Sequence, residues 1–240
     1  MNNKLQSRWI ILIAVFVVYA SCSTSYTEIN REVENQPSTS SLIIEQTDIA
    51  IDSDLDLIWQ DEFLGDALNN RKWDFQIGNG VNGWGNNELQ FYTSSKNNYE
   101  LSEGLLKIVP LYDPSHDQPY TSSKLVTKNK FSFKSPGIIS VKFKVPQGQG
   151  LWPAIWMMPV HSIFGGWPRS GEIDLMEARG SNPQQVLSTL HFFQNGHMYE
   201  GGDHYEAQAT NFNEVFHTVD LVWNKEKISF YIDKKHLVFE

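Results

Sequence analysis

Three acids stand within six residues in the segment Gly171-Glu172-Ile173-Asp174-Leu175-Met176-Glu177. In an extended chain successive side chains alternate between faces, so Glu172 and Asp174 share one face and Ile173 and Leu175 take the other. Unbroken alternation would put Glu177 on the wrong face. One extra residue at Leu175-Met176, a β-bulge, returns it to its partners, and bulges are common beside active sites because they re-aim a side chain. The parity therefore predicts a bulge there. Carboxylates crowded on one face repel, and at least one holds its proton to a higher pH. Glycoside hydrolysis uses that conflict: one ionised carboxylate attacks the anomeric carbon while a protonated one donates to the leaving oxygen. A retaining enzyme needs the two about 5–5.5 Å apart. From spacing alone two other readings stay open, a solvated acidic strand and a calcium site built from oxygen ligands.

The elements that must position these acids read as strands. Ile139, Val141, Phe143 and Val145 alternate with Ser140, Lys142 and Lys144. Val219, Leu221 and Trp223 alternate with Thr218, Asp220 and Val222, and Ile228, Phe230 and Ile232 with Ser229, Tyr231 and Asp233. Period two with one apolar face is the mark of a half-buried strand. From Leu57 onward no stretch keeps a 3.6-residue apolar period, and 16 Gly and 10 Pro punctuate short apolar runs. The pattern predicts an all-β sandwich or barrel, without internal repeats. Gly78, Gly80 and Gly83 match the spacing G-x-G-x-x-G, yet Trp84-Gly85-Asn86-Asn87 follows instead of a helix start, so a glycine-rich loop is the better reading. His191, His197 and His204 fit no common zinc spacing, and no metal site is read from them. The chain carries 8 Trp, 9 Tyr and 14 Phe, ample for a core and for flat surfaces beyond one.

A formal charge of −9 argues against a phosphate-backbone partner, so no nucleic-acid role is expected. The single cysteine, Cys22, rules out an intramolecular disulfide. Lys4 and Arg8 precede an unbroken twelve-residue apolar run, Trp9 to Ala20. About 20 residues are needed to span a bilayer comfortably, so the run suits the core of a cleaved secretion signal over residues 1–21, with a buried helix as the alternative. Tyr19-Ala20-Ser21-Cys22 resembles a bacterial lipoprotein cleavage site, with Tyr19 where Leu or Val is usual, which makes Cys22 a candidate lipidation site. Cleavage there removes two positive charges and no negative one, leaving −11. Residues 22–54 are rich in Ser, Thr, Glu and Asn with no sustained period, a polar tether. The remaining residues, 55–240, form the working domain.

Glu172-Ile-Asp174-Leu-Met-Glu177 resembles the E-x-D-x-x-E signature of glycoside hydrolase family 16, especially its laminarinase-type endo-β-1,3-glucanases. Trp59-Gln-Asp-Glu-Phe63, Gly83-Trp-Gly-Asn-Asn-Glu-Leu-Gln-Phe-Tyr92, Gly148-Gln-Gly-Leu-Trp-Pro-Ala-Ile-Trp-Met-Met-Pro159 and Thr189-Leu-His191 agree with it in the same order. The resemblance implies a jelly-roll β-sandwich of the concanavalin A-like kind with an open glycan cleft. Glu172 would be the nucleophile and Glu177 the general acid/base. Asp174 would tune their charge states, and His191 would lie beside the acid/base on an adjacent strand. Trp152 and Trp156 would stack on the sugar, and Trp84, Asn86, Asn87 and Arg169 would supply further cleft contacts. The implied reaction is retaining hydrolysis of β-1,3 or mixed β-1,3/1,4 glucans by a secreted or cell-surface monomer. It needs no cofactor, and a structural calcium ion is the one metal the resemblance leaves open. The membrane would be met only through a lipid anchor. A galactan hydrolase of the same fold and a non-catalytic glucan-binding module are the alternatives. Two departures stand out. The family often carries Arg-x-Glu after the glycine matching Gly137, where this chain has Ile138-Ile139-Ser140. It also continues with further strands past the position of Glu240, so the resemblance implies a C-terminally incomplete sandwich whose independent folding is in question.

Overall fold

The computed structural model describes residues 9–13, 17–22, 56–115, 118–194, 197–206 and 211–237, with backbone alone for 9–13, 17–22, 197–206 and 236–237. In chain order the strands begin with β1 (Trp9–Ile13), β2 (Val17–Cys22), β3 (Asp56–Asp61), β4 (Asp74–Phe75), β5 (Gln90–Tyr92) and β6 (Tyr99–Ser102). They continue with β7 (Leu105–Ile108), β8 (Leu111–Tyr112), β9 (Tyr120–Ser122), β10 (Leu125–Val126), β11 (Gly137–Phe143) and β12 (Ala154–Pro159). The last are β13 (Glu172–Arg179), β14 (Asn182–Gln194), β15 (His197–Glu206), β16 (His217–Trp223), β17 (Ile228–Ile232) and β18 (Lys235–Leu237). Two sheets dominate: a seven-stranded one ordered β15-β14-β13-β12-β1-β10-β4 and a six-stranded one ordered β18-β17-β16-β11-β2-β3. All pairings within both are antiparallel.

The period-two runs land where alternation placed them. Ile139, Val141 and Phe143 of β11, Val219 and Leu221 of β16, and Phe230 and Ile232 of β17 are all buried. They join Ile155 and Met157 of β12, Ile173 and Leu175 of β13 and Val186 of β14 in one apolar cluster between the sheets. Each apolar side chain so buried contributes roughly 1.5–3 kcal/mol of transfer free energy, the main force holding the layers together. This is the expected jelly-roll sandwich. Trp73 is 1 % exposed and belongs to the core, where its indole N–H donates to Asp61 Oδ2 at 2.7 Å.

The apolar run read as a leader is drawn into this framework. β1 pairs β12 on one side and β10 on the other, and β2 lies between β11 and β3. An unbroken apolar run suits a strand buried on both faces as well as it suits a signal core, and periodicity alone does not separate them. The tether lies almost wholly outside the described residues, as do the side chains of Cys22, His197 and His204.

Candidate active site

The acids sit on β13, and the bulge is present. Asp174 pairs with Trp156 of β12 and Met176 with Ile155, skipping Leu175. Toward β14 the register jumps between Asp174↔Thr189 and Glu177↔Leu187. Leu175 and Met176 are both fully buried, while Glu172 and Glu177 remain half-buried on the outer face. A residue squeezed out of the ladder leaves its carbonyl in need of a donor. The buried Ser188 hydroxyl supplies one, donating to the Leu175 oxygen at 2.7 Å. Ala154 and Trp156 of β12 and Leu187, Thr189 and His191 of β14 pair directly with the acids and share their face.

Each glutamate accepts an indole N–H. Trp167 Nε1 donates to Glu172 Oε2, and Trp152 Nε1 donates to Glu177 Oε1 at 3.0 Å. Trp152 is held in place by the turn before it: Gly148 N–H donates to the Gly180 carbonyl, Gly180 N–H to the Leu151 carbonyl, and Ala178 N–H to the Pro153 carbonyl. Asp174, 3 % exposed, lies between the glutamates, with Nε2 of His191 2.9 Å from its Oδ2. His191 is on the adjacent strand as expected, but it stands opposite Glu172 rather than beside Glu177. Burial and then the Asp174 charge push Glu172 up to about 7, against the pull of His191 and the Trp167 N–H. The same two causes push Glu177 to about 7, opposed by the Trp152 N–H, His191 and Arg179. Burial also raises Asp174. The three titrate as a set, so one member holds a proton near neutral pH while another is ionised.

The remaining expected contacts fall into two groups. Trp84, Asn86 and Asn87 lie on one loop after a run of left-handed residues, Asn82 at φ 51°, Gly83 at 55° and Trp84 at 58°. A left-handed residue other than glycine costs roughly 1–2 kcal/mol, and such strain gathers at functional loops. Gly83 is required: a Cβ there would stand 2.3 Å from the Glu88 nitrogen. Asn86 Nδ2 donates to Glu88 Oε1 at 3.2 Å, and Tyr92 OH donates to Glu88 Oε2 at 3.0 Å. The three glycines of the G-x-G-x-x-G spacing all have positive φ, the loop the spacing suggested. Arg169, by contrast, lays its guanidinium over the ring of Phe193 on β14, 3.8 Å from the centroid.

Sequence reading missed two groups. Trp167 touches Glu172 from a loop whose conformation spacing does not reveal. Lys124, just before β10, is 6 % exposed, with its ammonium 4.3 Å from the Trp84 ring centroid, 4.7 Å from Trp156 and 5.6 Å from Tyr92. No acceptor among the described residues takes a hydrogen bond from it. Burial lowers its affinity for the proton, opposed by the charges of Glu88 and Glu172. One face of the Trp84 ring and one of Trp156, an expected stacking ring, is thus turned to a cation. Among the described residues one group of three side chains, Glu172, Asp174 and His191, brings nitrogen and oxygen atoms within 4.8 Å of one another. Two carboxylates and an imidazole fall short of the six to eight oxygens that calcium takes.

The sequence profile of the glycosyl hydrolases family 16 matches residues 69–238. The chain belongs to that family. It is 40% identical over 204 residues to glucan endo-1,3-beta-glucosidase A1 of Niallia circulans, covering 79% of this chain and 30% of the relative. It is 39% identical over 184 residues to a glucan endo-1,3-beta-glucosidase of Cryptopygus antarcticus, covering 74% and 66%. The chain therefore spans less than two thirds of the length of either. The solved laminarinase of Rhodothermus marinus superposes with a TM-score of 0.68 at 33% identity, over 76% of this chain and 73% of that one.

Proposed function

We propose that this family 16 chain is a retaining endo-hydrolase of β-1,3 or mixed β-1,3/1,4 glucans. The observation that carries the reading is the bulged strand, which sets Glu172, Asp174 and Glu177 on one face with an indole N–H on each glutamate. The names of the relatives support the glucan assignment. In the first step the Glu172 carboxylate forms a bond to the anomeric carbon, the glycosidic C–O bond breaks, and the Glu177 proton passes to the leaving oxygen. In the second step water attacks the same carbon and gives its proton to Glu177. The bond to Glu172 breaks, and the sugar leaves with its β configuration retained. Asp174, which faces both glutamates, keeps their protonation states apart, and its own charge is steadied by His191. Trp152, Trp156, Trp167 and the loop carrying Trp84, Asn86 and Asn87 offer flat apolar faces beside polar groups, which suits a sugar's C–H faces and hydroxyl edges. No cofactor enters these steps.

Laminarin, lichenan and agarose offered to the protein separate the substrates. Cleavage of either glucan with the β anomer formed first, read by proton NMR, is the expected result. An initial α anomer overturns retention. Cleavage of agarose alone overturns the glucan assignment, and binding without cleavage favours a carbohydrate-binding role.

The same reading places the chain at the cell envelope. Residues 1–21 serve as a secretion signal, Cys22 receives a lipid, and the polar tether holds a monomeric domain off the membrane. Lys4, Arg8, the apolar run after them and the position of Cys22 support this. In that case the pairing of β1 and β2 belongs to the uncleaved precursor. Fractionation of cells expressing wild type and Cys22→Ser tests it: membrane-bound wild type and soluble variant are expected.

A further inference from the structure

The loop of residues 160–171 brings Trp167 to the nucleophile, yet it is largely open to solvent, with Ile163, Phe164 and Trp167 all exposed. Several bonds hold it together from within. Ser170 Oγ donates to the Gly165 carbonyl at 2.7 Å and accepts from the Phe164 N–H at 3.1 Å. Arg169 N–H donates to the Gly166 carbonyl at 2.9 Å. Bonds internal to a loop fix its shape but not its place on the sheet. Among the described residues two contacts fasten the Trp167 end to the sheet. One is Trp167 itself, bonded to Glu172 with its ring centroid 5.7 Å from that of His191. The other is Arg169, two residues on, stacked on Phe193 of β14. Gly165 makes room for this: a Cβ there would lie 2.8 Å from Arg169 Cδ, so the arginine stem lies flat across the loop.

A guanidinium stacked on a ring has spent its planar face, and Phe193 stands only two residues along β14 from His191. We infer that Arg169 is a positioning residue, whose seat on Phe193 fixes the Trp167 indole N–H on Glu172. Sugar contact is not its main work. Arginine is needed because lysine offers a point charge with no plane to stack. The groups facing Glu172 are Asp174 and Glu177 on its own strand, His191 from β14, Lys124 from the segment before β10 and the Trp167 N–H. Removing the N–H from that set removes one of the influences, with His191 and Lys124, that favour the ionised nucleophile.

The kinetic part of the test rests on the hydrolase reading, whereas the spectroscopic part does not. The indole 1H–15N resonance of Trp167, assigned with Trp167→Phe, is followed against pH in wild type, Arg169→Met, Phe193→Leu and the double variant. In wild type it is expected downfield and titrating with Glu172. Each single variant is expected to move it upfield and blunt the titration, with the double variant no worse than either single, as coupled partners require. On laminarin the same variants are expected to lose kcat about 3–10-fold and shift the acidic limb of the pH profile upward, with Arg169→Lys failing to rescue. An unchanged Trp167 resonance in both singles overturns the inference, and so do additive effects in the double or a defect confined to KM. Failure of wild type to cleave any glucan sinks the hydrolase reading instead, and the resonances still decide the role of Arg169.

Discussion

Both large sheets bury a carboxylate on an inner strand, and they treat it differently. Asp220 on β16 is 8 % exposed, and burial raises its pKa. A hydrogen bond from Ser140, directly across on β11, and the charge of Lys234 offset that cost. Asp174 on β13 is also buried, but its neighbours along the strand are two more acids, and among the described residues the imidazole of His191 is the basic group within salt-bridge distance of it. Among the described residues neither glutamate pairs with Lys or Arg. Where a fold needs a buried acid only for structure it supplies a donor and a cation. Leaving three acids with little compensation makes sense where their proton traffic is the purpose.

Four measurements bear on that contrast. The largest effect belongs to Glu172→Gln, which leaves the fold intact and is expected to lower kcat on laminarin at least about 10³-fold, the scale of losing a covalent nucleophile. Asp220→Asn should leave kcat within about twofold, and a large loss there would erase the distinction between the sheets. Next is Glu177→Gln. It is expected to lose nearly as much on laminarin yet keep most of its first-step rate on an aryl glucoside whose leaving group needs no proton. The alkaline limb of the pH profile should vanish with it. Survival of that limb would give the proton to another group.

Lys124→Met comes third. An ammonium with unspent donors beside Glu172 and the aromatic floor is placed to meet a sugar hydroxyl, and a hydrogen bond to a charged group is worth about tenfold or more in binding. KM for laminarin is expected to rise about tenfold, whereas an unchanged KM would leave the lysine as packing alone. The smallest effect is on stability. A carboxyl whose native pKa is raised binds its proton more tightly folded than unfolded. Stability therefore falls as pH climbs from the usual glutamate value of 4.5 toward about 7 and stays low above. Asp174→Asn should recover about 2–4 °C of Tm at pH 8 and nothing at pH 4, with a smaller gain for Asp220→Asn. Equal gains would mean that the two sheets carry the same electrostatic load.

What the sequence made legible was local. Alternation at Ile139–Phe143 and Val219–Trp223 located two strands and their buried faces, because period two is a property of neighbours along one chain. Parity at Glu177 called for the bulge on the same grounds. The Ser188 hydroxyl that satisfies Leu175, the ammonium of Lys124 beside Glu172 and the Arg169–Phe193 stack depend on which strands lie side by side, and spacing does not carry that order. Trp156, expected against the sugar, pairs with Asp174 on the outer face, half-buried and capped by Lys124. The apolar run at Trp9 shows the same limit, since its composition serves a leader and an inner strand alike.

The bulge at Leu175–Met176 makes the acid/base answer to chain length rather than to residue identity. Inserting one further residue there, with the bulge kept and the strand otherwise regular, would flip the parity and swing Glu177 inward among Ile155 and Met157, with every side chain of the triad still encoded. On the proposed reading, catalysis on this scaffold can thus be switched off by a single inserted codon, leaving the aromatic surface on β12 and the loops to hold sugar without cutting it. A change of that kind turns a hydrolase toward a lectin in one step, and it would be invisible to any comparison that scores only which residues are present.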